Sequence, residues 1–404
     1  MFGYKKLRLI IYLLFFFSMA FAVQGQTHDA FLYEIIDERS ITITEYIGND
    51  ANVVIPVSID GLPVTTIGYQ SFFWNKNLTS IIIPPSVTVI GDEAFYNCEN
   101  LTSIDIPSSV TVIGQRAFYF CESLTSVTIP FSVTTIRKGA FSHCAKLTNI
   151  NVDIRNTAYT SIDGVLFNKS GSILLCYPAA KRGAYTVPST VTAIEDVAFA
   201  GSYYLTNITI PSSVTAIGYG AFVDCKYLTS VTIPPLVTTI GEMMFWGCSS
   251  LSGVTIPSSV TTIGDDAFYS CSSIATIAIP KSVTFIGRGA FVYCYSLTSI
   301  NVDTQNNTYA SIDGVLFDKN MHILIYYPTG KRGGYSIPTT VTTIGEIAFL
   351  GCKQLIDVFI HPSVIFIGYN AFVSCDKLSS VTISRNTRLS NPSFDERVQI
   401  LYRD

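Results

Sequence analysis

The sequence predicts a mainly β solenoid, an arc of about fourteen turns of mostly 23 residues each, with two β-hairpin inserts and a cap at each end. Three observations predict this fold class. A 23-residue phrase recurs along the chain, with clear copies that begin at Leu101, Leu124 and Leu228. Apolar and polar residues alternate within each copy, and a proline follows the alternating run. A repeat of this period is typical of a stack in which each unit buries its apolar edge against its neighbours.

Each turn has the same internal order. In the phrase LTSVTIP, we expect Leu124, Val127 and Ile129 to point inward, because side chains alternate along a strand. Ser126 and Thr128 are expected to face solvent. Proline ends this strand because it has no N–H group for the neighbouring ladder. The following segments, SVTTIG and AF, add further core residues, and the aromatic residues of the AF pairs are expected to stack as an internal spine. The spine comprises Phe72, Phe95, Phe118, Phe141, Phe199, Phe222, Phe245, Phe268, Phe291, Phe349 and Phe372.

Two units are longer than the rest. The step between corresponding positions is 23 residues in most units, but it is 35 after Asp153 and again after Asp303. The two long units, residues 161–188 and 311–338, are similar to each other at an offset of 150 residues, which indicates that a whole block was duplicated. Within each long unit, GVLF and then ILLCYP or ILIYYP are strand-like runs joined by a polar turn. We therefore predict two β-hairpins that flank or project from the arc.

The N-terminal segment predicts export. Lys5, Lys6 and Arg8 precede the apolar run 9–17, and the small residues Ala20 and Ala22 then fit a cleavage site. The apolar run is short for a membrane anchor, which is the alternative. We expect a secreted or cell-surface protein without a stable membrane span. The predicted boundaries are 1–22 for the signal peptide, 23–51 for an N-terminal cap hairpin, 52–385 for the repeats with inserts at about 154–187 and 304–337, and 386–404 for a C-terminal cap.

Both ends of the predicted stack have cap-like sequences, which a solenoid needs to close its open edges. At the N-terminus, strands around 33–36 and 41–43 are expected to form a hairpin. At the C-terminus, Val398, Ile400 and Leu401 are expected to seal the core in a last half-turn.

The pattern LxxIxIPxSVTxIGxxAFxxC, which covers about residues 52–384, resembles the BspA-like (Treponema pallidum-type) class of bacterial leucine-rich repeats. The resemblance implies a leucine-rich-repeat solenoid, a horseshoe or arc with strands on its concave side. It also implies an exported or surface protein, since some members are adhesins for host matrix proteins or other cells. The chain departs from the pattern at Asp153, Asp303 and His361, and in its long units.

Nine of the ten cysteines share one register of the repeat. Several cysteines in an exported protein usually suggest disulfides. Here parallel stacking would aim neighbouring thiols in the same direction, so we expect a ladder of small buried thiols. Cys176 lies outside this register, and its counterpart in the second insert is Tyr326, so we expect a strand residue of the hairpin and not a nucleophile. The ladder comprises Cys98, Cys121, Cys144, Cys225, Cys248, Cys271, Cys294, Cys352 and Cys375.

No pattern in the sequence predicts catalysis. The sequence contains no G-x-S-x-G, H-E-x-x-H, phosphate-loop or dinucleotide motif, and it lacks the CxxC and CxxH spacings of a structural zinc site. The net charge is −4 and no basic patch occurs, which argues against nucleic acid as a partner. We expect no enzyme activity, no cofactor and no metal. The four histidines, His28, His143, His322 and His361, occupy unrelated registers.

The outward strand residues and the charged residues of the inserts are the candidate binding residues. Threonine suits an exposed strand for structural reasons alone. In the inserts, turn formation accounts for the glycines and solvation for the charged residues, and this structural account is favoured there. The functional interpretation is a broad hydrogen-bonding face for an extracellular protein, with a cell-envelope or environmental polysaccharide as the alternative. Paired inserts would add two-point attachment. The strand candidates are Ser103, Asp105, Ser126, Thr128, Asn149, Asn151, Asn207, Thr209, Ser230 and Thr232, and the insert candidates are Asp163, Lys181, Arg182, Asp313, Lys331 and Arg332.

Overall fold

A computed structural model describes residues 26–403 and confirms the solenoid. The described residues form short strands and turns, with no helix among them. Successive turns pair with each other along three sides of the stack, which we call ladders A, B and C. The predicted signal peptide, residues 1–22, lies outside the described residues.

The N-terminal cap is the predicted hairpin. Strand β2 (Phe31–Ile36) pairs antiparallel with β3 (Ser40–Tyr46), and β1 (Gln26–His28) adds an outer strand. The ring of Tyr46 stacks on Phe72 with 5.3 Å between centroids, so the cap continues the aromatic core. Because β3 also pairs parallel with β6 (Leu62–Ile67), it is the first member of ladder B.

Ladder A is built from the LTSVTIP segments. Its strands pair parallel at the repeat offset, for example Ser126 with Asn149 and Ile129 with Val152. The inward residues are buried as predicted, including Val127 at 2% exposure. Residues 101–106 keep the same pattern of burial without strand pairing. The strands are β4 (Asn52–Val54), β7 (Ser80–Ile82), β10 (Ser126–Ile129), β12 (Asn149–Val152), β16 (Gly183–Thr186), β18 (Leu205–Thr209), β20 (Ser230–Thr232), β22 (Gly253–Thr255), β24 (Thr276–Ile279), β26 (Ser299–Val302), β30 (Gly333–Ser336), β32 (Leu355–Phe359), β34 (Ser380–Ser384) and β36 (Gln399–Arg403).

Ladder B follows the proline of each turn and has mostly two-residue strands. Its threonines strengthen the stack: the hydroxyl of Thr111 donates a hydrogen bond to the carbonyl of Thr88 at 3.2 Å, one turn away. A short strand, β5 (Ser58–Ile59), pairs antiparallel with β6 and accounts for the longer first unit. After β3 and β6, the strands are β8 (Val89–Ile90), β9 (Val112–Ile113), β11 (Thr135–Ile136), β15 (Ile173–Cys176), β17 (Ala193–Ile194), β19 (Ala216–Ile217), β21 (Thr239–Ile240), β23 (Thr262–Ile263), β25 (Phe285–Ile286), β29 (Ile323–Tyr326), β31 (Thr343–Ile344), β33 (Phe366–Ile367) and β35 (Arg388–Leu389).

Ladder C is formed by the AF segments, which are turns. Alternate N–H groups in each regular turn donate to carbonyls of the next turn, for example Phe95 to Ala117 at 2.8 Å and Asn97 to Tyr119 at 2.7 Å. Asn97 has a φ of 60°, a left-handed conformation that is costly for a residue with a side chain. The hydrogen bond from the Asn97 N–H to the Tyr119 carbonyl helps to offset that cost.

The predicted phenylalanine spine is confirmed. Phe72 and Phe95 stack with 5.0 Å between ring centroids, and Phe118 and Phe141 with 5.3 Å. At the first insert, Tyr177 takes the place of a phenylalanine and lies 5.0 Å from Phe199. Tyr327 does the same at the second insert, and Phe394 extends the column to the C-terminal cap. The rings are buried and stack in three runs, Phe72 to Phe141, Tyr177 to Phe291 and Tyr327 to Phe394, so the spine is a packed core that the inserts interrupt.

The inserts contain the predicted β-hairpins, which lie inside the stack and do not project from it. Strand β14 (Val165–Asn168) pairs antiparallel with β15, as predicted, and also with β13 (Tyr159–Ile162). Leu166 packs against the core before the insert, whereas Val165 and Phe167 pack against the core after it. The strand is apolar on both faces and therefore has to be buried on both. The second insert repeats this arrangement with β27 (Tyr309–Ile312), β28 (Val315–Asp318) and β29.

The C-terminal cap adds one layer to the fourteen predicted turns. Strand β36 pairs parallel with β34 and continues ladder A. Val398 is buried and Ile400 packs against the core, as predicted. Leu401 is 43% exposed, so its predicted place in the core is wrong. It pairs with Thr382 in the outward register of ladder A, because neighbouring residues of a strand point to opposite faces.

The cysteine ladder is confirmed, and all ten cysteines are free and buried. Most of the thiols donate a hydrogen bond to the carbonyl of a spine phenylalanine in the preceding turn, as Cys121 does to Phe95 at 3.2 Å. Burial raises the pKa of the Cys98 thiol to about 12, so this side chain stays protonated. Cys176 is a strand residue of the insert, as predicted, and desolvation raises its pKa to about 12 as well. These thiols are core residues with little nucleophilic character.

A thiol reagent should therefore fail to label the native protein. We expect all ten cysteines to react once denaturant is added, since each is reduced and shielded by the stack. Spectroscopic thiol counting before and after unfolding measures this. Rapid labelling of the native chain, or fewer than ten thiols in denaturant without reductant, would contradict the buried ladder.

Candidate binding surface

The outward residues of ladder A form a continuous surface, which we call the A face. Because the strands pair in register, Ser126 lies beside Asn149 and Thr128 beside Asn151. Each strand thus contributes to two rows of side chains that follow the stack. Among the ten strand candidates, Ser230 is half-buried, and the exposed residues are Ser103, Asp105, Ser126, Thr128, Asn149, Asn151, Asn207, Thr209 and Thr232.

Hydrogen bonding distinguishes three hydroxyls of the A face from the threonines that stabilise the stack. Thr102 and Thr111 donate their hydroxyls to carbonyls one turn away and so stabilise the stack. The hydroxyls of Ser126, Thr128 and Thr232 make no hydrogen bond within residues 26–403. These three hydroxyls are therefore available to an external partner.

The A face is apolar near both of its ends, a feature that the sequence analysis missed. Val54 and Ile82 are paired neighbours and are 61% and 63% exposed. Toward the other end, Phe359 is 51% exposed and the Arg403 guanidinium lies 4.9 Å from its ring centroid. These residues occupy the row that holds Thr128 in the middle of the face. In the sequence, the position that Thr128 occupies in the middle of the face changes from polar to apolar near the ends. A search for polar residues does not detect this change.

Insert residues reach the A face through a tight turn. Asp163 and Gly164 link β13 to β14 with φ values of 50° and 77°. The N–H of Ile150, in the last ladder A strand before the insert, donates to the Gly164 carbonyl at 2.9 Å. The turn thereby covers the edge of ladder A where the regular stack is interrupted.

The insert lysines hold these turns in place. The ammonium of Lys181 donates to the Asp163 carbonyl at 2.8 Å, and that of Lys331 donates to the Asp313 carbonyl at the same distance. The structure thus assigns both lysines a structural role, and it brings each together with its predicted aspartate.

Arg182 belongs to an aromatic platform that has no counterpart at the second insert. Its guanidinium lies 4.0 Å from the centroid of Tyr204, and Tyr204 stacks on Tyr227 at 6.3 Å. Tyr227 is 56% exposed. At the offset of 150 residues, the two tyrosines correspond to Gln354 and Lys377, so no such platform surrounds the exposed Arg332. Two aromatic residues at the repeat spacing indicate this platform in the sequence, but it was not among the predicted sites.

His143 is the most perturbed imidazole of the described chain. It is buried against the rings of Tyr119 and Phe120 at 4.9 and 4.5 Å, and neither of its ring nitrogens has a partner within residues 26–403. Desolvation, assisted by the charge of Lys226, lowers its pKa to about 3. Tyr293 occupies the same place in the second block. The side chain is thus a neutral filler of the core and unsuited to acid–base chemistry at neutral pH.

Metal and membrane sites were also sought in the described residues. No group of three or more His, Cys, Asp or Glu side chains in residues 26–403 is placed to hold a metal ion. Over the same range, no helix is long and apolar enough to span a membrane.

Comparisons with known proteins agree on the architecture. The BspA type leucine-rich repeat region matches residues 53–174, 184–322 and 326–400 in six copies. A leucine rich cell surface protein of Faecalibacterium prausnitzii is 31% identical over 69% of this chain and 95% of its own, with a TM-score of 0.43. The pneumococcal vaccine antigen PcpA is 16% identical over 94% and 99% of the two chains, with a TM-score of 0.53. The Treponema pallidum leucine rich repeat protein is 27% identical over 62% and 91%, with a TM-score of 0.31. A search of curated proteins gave no match.

Replacing His143 by phenylalanine should make the protein more resistant to acid. The imidazole pKa, about 3 in the folded chain, lies below its ordinary value of 6.5, so the unfolded chain takes up the proton first as the pH falls. Stability from this site is complete above pH 6.5 and is lost progressively down to about pH 3. Between pH 7 and pH 5, the native sequence should lose about 2 kcal/mol of unfolding free energy that His143→Phe retains.

Urea unfolding of both proteins at the two pH values measures this difference. Phe120 occupies the same position one turn earlier with a φ of 60°, so the backbone accepts phenylalanine there. Equal acid sensitivity of the two proteins would contradict a neutral, buried His143.

Proposed function

Since the chain belongs to the BspA type leucine-rich repeat family, we propose that it is an exported, non-catalytic surface protein whose A face binds an extracellular protein. The observation that carries this proposal is the set of exposed hydroxyls on the A face that make no internal hydrogen bond. The stack does not need these groups. Thr111 and Thr134, beside ladder B, donate their hydroxyls to the preceding turn, whereas those of Thr135 and Thr239 in ladder B make no hydrogen bond within residues 26–403, so these two residues provide a matched control.

The composition of the A face favours a protein partner. Its middle is neutral and hydrogen-bonding, so recognition relies on shape and on many modest contacts, with little electrostatic steering. Val54, Ile82 and Phe359 supply exposed apolar anchors near its ends. Apolar anchors combined with a polar surround are typical of protein interfaces.

A glycan is the second candidate ligand. The platform of Arg182, Tyr204 and Tyr227 offers an exposed ring supported by a stacked cation. Such a ring presents an apolar face and a hydrogen-bonding hydroxyl, which suits a sugar. The platform lies at the first insert only, so a glycan would bind there and not along the whole A face.

Export and surface location rest on two further observations. The predicted signal peptide at 1–22 directs the chain out of the cytoplasm. The similar protein of Faecalibacterium prausnitzii is described as a cell surface protein. A host matrix protein or a protein of another cell is the class of partner that such a location makes accessible.

Arginine substitutions on the A face test the proposal. We expect the mature chain to bind at least one immobilised matrix protein, and the double variant Thr128→Arg, Thr232→Arg to bind it at least about tenfold more weakly. Both positions are exposed, so the substitutions should leave the fold intact. The matched control is Thr135→Arg, Thr239→Arg, which places the same residues on exposed strand positions of ladder B.

Three measurements test the proposal. Surface plasmon resonance measures binding to matrix proteins, and a glycan array measures binding to sugars. Labelling of intact producing cells with an impermeant reagent tests the surface location. Equal loss of binding in both double variants would contradict a role specific to the A face. Saturable sugar binding without any protein ligand, lost in Tyr227→Ala, would replace the proposal with the glycan alternative. Failure to label intact cells would contradict the surface location.

A further inference from the structure

The turn before each insert leaves part of ladder C unpaired. In regular turns, Asp266 and Phe268 donate their N–H groups to the carbonyls of Arg288 and Ala290, both at 2.9 Å. The next turn should repeat this through Gly289 and Phe291. Within residues 26–403, however, neither of these N–H groups has an acceptor, and the same holds for Gly139 and Phe141 before the first insert.

The gap arises because the insert supplies an incomplete layer. Tyr326 lies against Phe291 with 5.9 Å between ring centroids, and Tyr327 donates its N–H to the Ala348 carbonyl at 2.8 Å. The residues before Tyr327 run as strand β29, so they do not present the carbonyls of an AF turn to the layer below. The Tyr326 hydroxyl donates to the Phe291 carbonyl, which satisfies an acceptor but leaves the donors open. An unpaired N–H group is costly, so these donors favour an external acceptor.

A cleft opens at this gap in the second insert. Its volume is about 260 Å³, and Gly289 and Phe291 contribute to its lining. Ile323, Ile325 and Ile347 supply apolar walls. The lining thus combines apolar side chains and the charged pair Arg288 and Glu346 with the two residues whose N–H groups are unpaired.

The first insert has the same gap, but its cleft is nearly closed. Its volume is about 40 Å³. The ammonium of Lys138 lies 2.8 Å from a carboxylate oxygen of Asp196 and 3.5 Å from Glu195, which ties the two walls together. At the second cleft, the corresponding ion pair of Arg288 and Glu346 is longer, at 3.6 Å, and both side chains are more than half exposed. The two clefts thus form a natural pair of open and closed sites.

We propose that the second cleft binds an extended segment of a partner protein, which takes the place of the missing ladder C layer. Two carbonyls two residues apart in the segment accept hydrogen bonds from Gly289 and Phe291, as Arg288 and Ala290 accept them from the turn below. An aliphatic side chain of the same segment fills the apolar cavity. A polypeptide supplies this repeated carbonyl spacing, and main-chain pairing combined with a side-chain pocket is an established mode of peptide recognition. The inference rests on the proposed role in protein binding and locates a second contact within it.

Selection of short random peptides on phage tests this inference. The mature chain is the target, and selected peptides are resynthesised for fluorescence anisotropy. We expect peptides with an aliphatic anchor whose binding to Ile323→Trp is at least about tenfold weaker, since tryptophan fills the cleft. Ile323 is 40% exposed, so the substitution should leave the core intact.

Two further variants serve as controls. Ile173→Trp places the same residue at the equivalent position of the first insert and should bind the peptides like the native chain. Ile323→Ala leaves the cleft open and should retain most of the affinity, which separates filling of the cleft from general damage. Selection of no peptide, or equal binding to the native chain and Ile323→Trp, would overturn the inference.

The outcome is distinguishable from failure of the proposed function. Matrix-protein binding that depends on Thr128 and Thr232 but not on Ile323 would leave the A face proposal standing and remove the cleft. Peptide binding at the cleft without any matrix ligand would leave the cleft proposal standing and remove the A face proposal.

Discussion

Pairing between successive turns is the constraint on which the rest of the structure depends. Each turn has three sides, and on each side its backbone groups must meet those of the next turn, because buried backbone groups that find no partner are costly. In most of the stack a unit of 23 residues provides this match. The period of the sequence is therefore the length of chain that closes one turn with every side in register.

The interior follows from this constraint. Once the turns are in register, identical residues stack on one another, so between the inserts the phenylalanines stack on phenylalanines and the cysteines align with cysteines. The cysteines act as small donors to carbonyls of the preceding turn, which explains their repetition without any covalent link. The threonines of ladder B have a similar role at the surface. The A face carries a regular set of exposed side chains, among which the hydroxyls of Ser126, Thr128 and Thr232 make no hydrogen bond within residues 26–403.

The sequence was sufficient for the features that repeat and insufficient for those that depend on contacts between different layers. Periodicity predicted the turns, the spine and the thiol ladder. It did not predict that Lys181 would bind a carbonyl 18 residues away, because nothing in the repeat relates those positions. Burial of the inserts was predictable in principle from the consecutive apolar residues Val165, Leu166 and Phe167, but a projecting hairpin was assumed. The open donors of Gly289 and Phe291 left no pattern in the sequence, since they arise from what the next layer lacks.

Amide hydrogen exchange in the free protein tests the central claim most directly. If pairing between layers determines the structure, the N–H groups of Phe118 and Phe268, which donate to the next turn, should be strongly protected. Those of Phe141 and Phe291, at the same register before each insert, should exchange at least about tenfold faster. Equal protection at all four phenylalanines would contradict the account, because it would mean that the inserts leave ladder C intact.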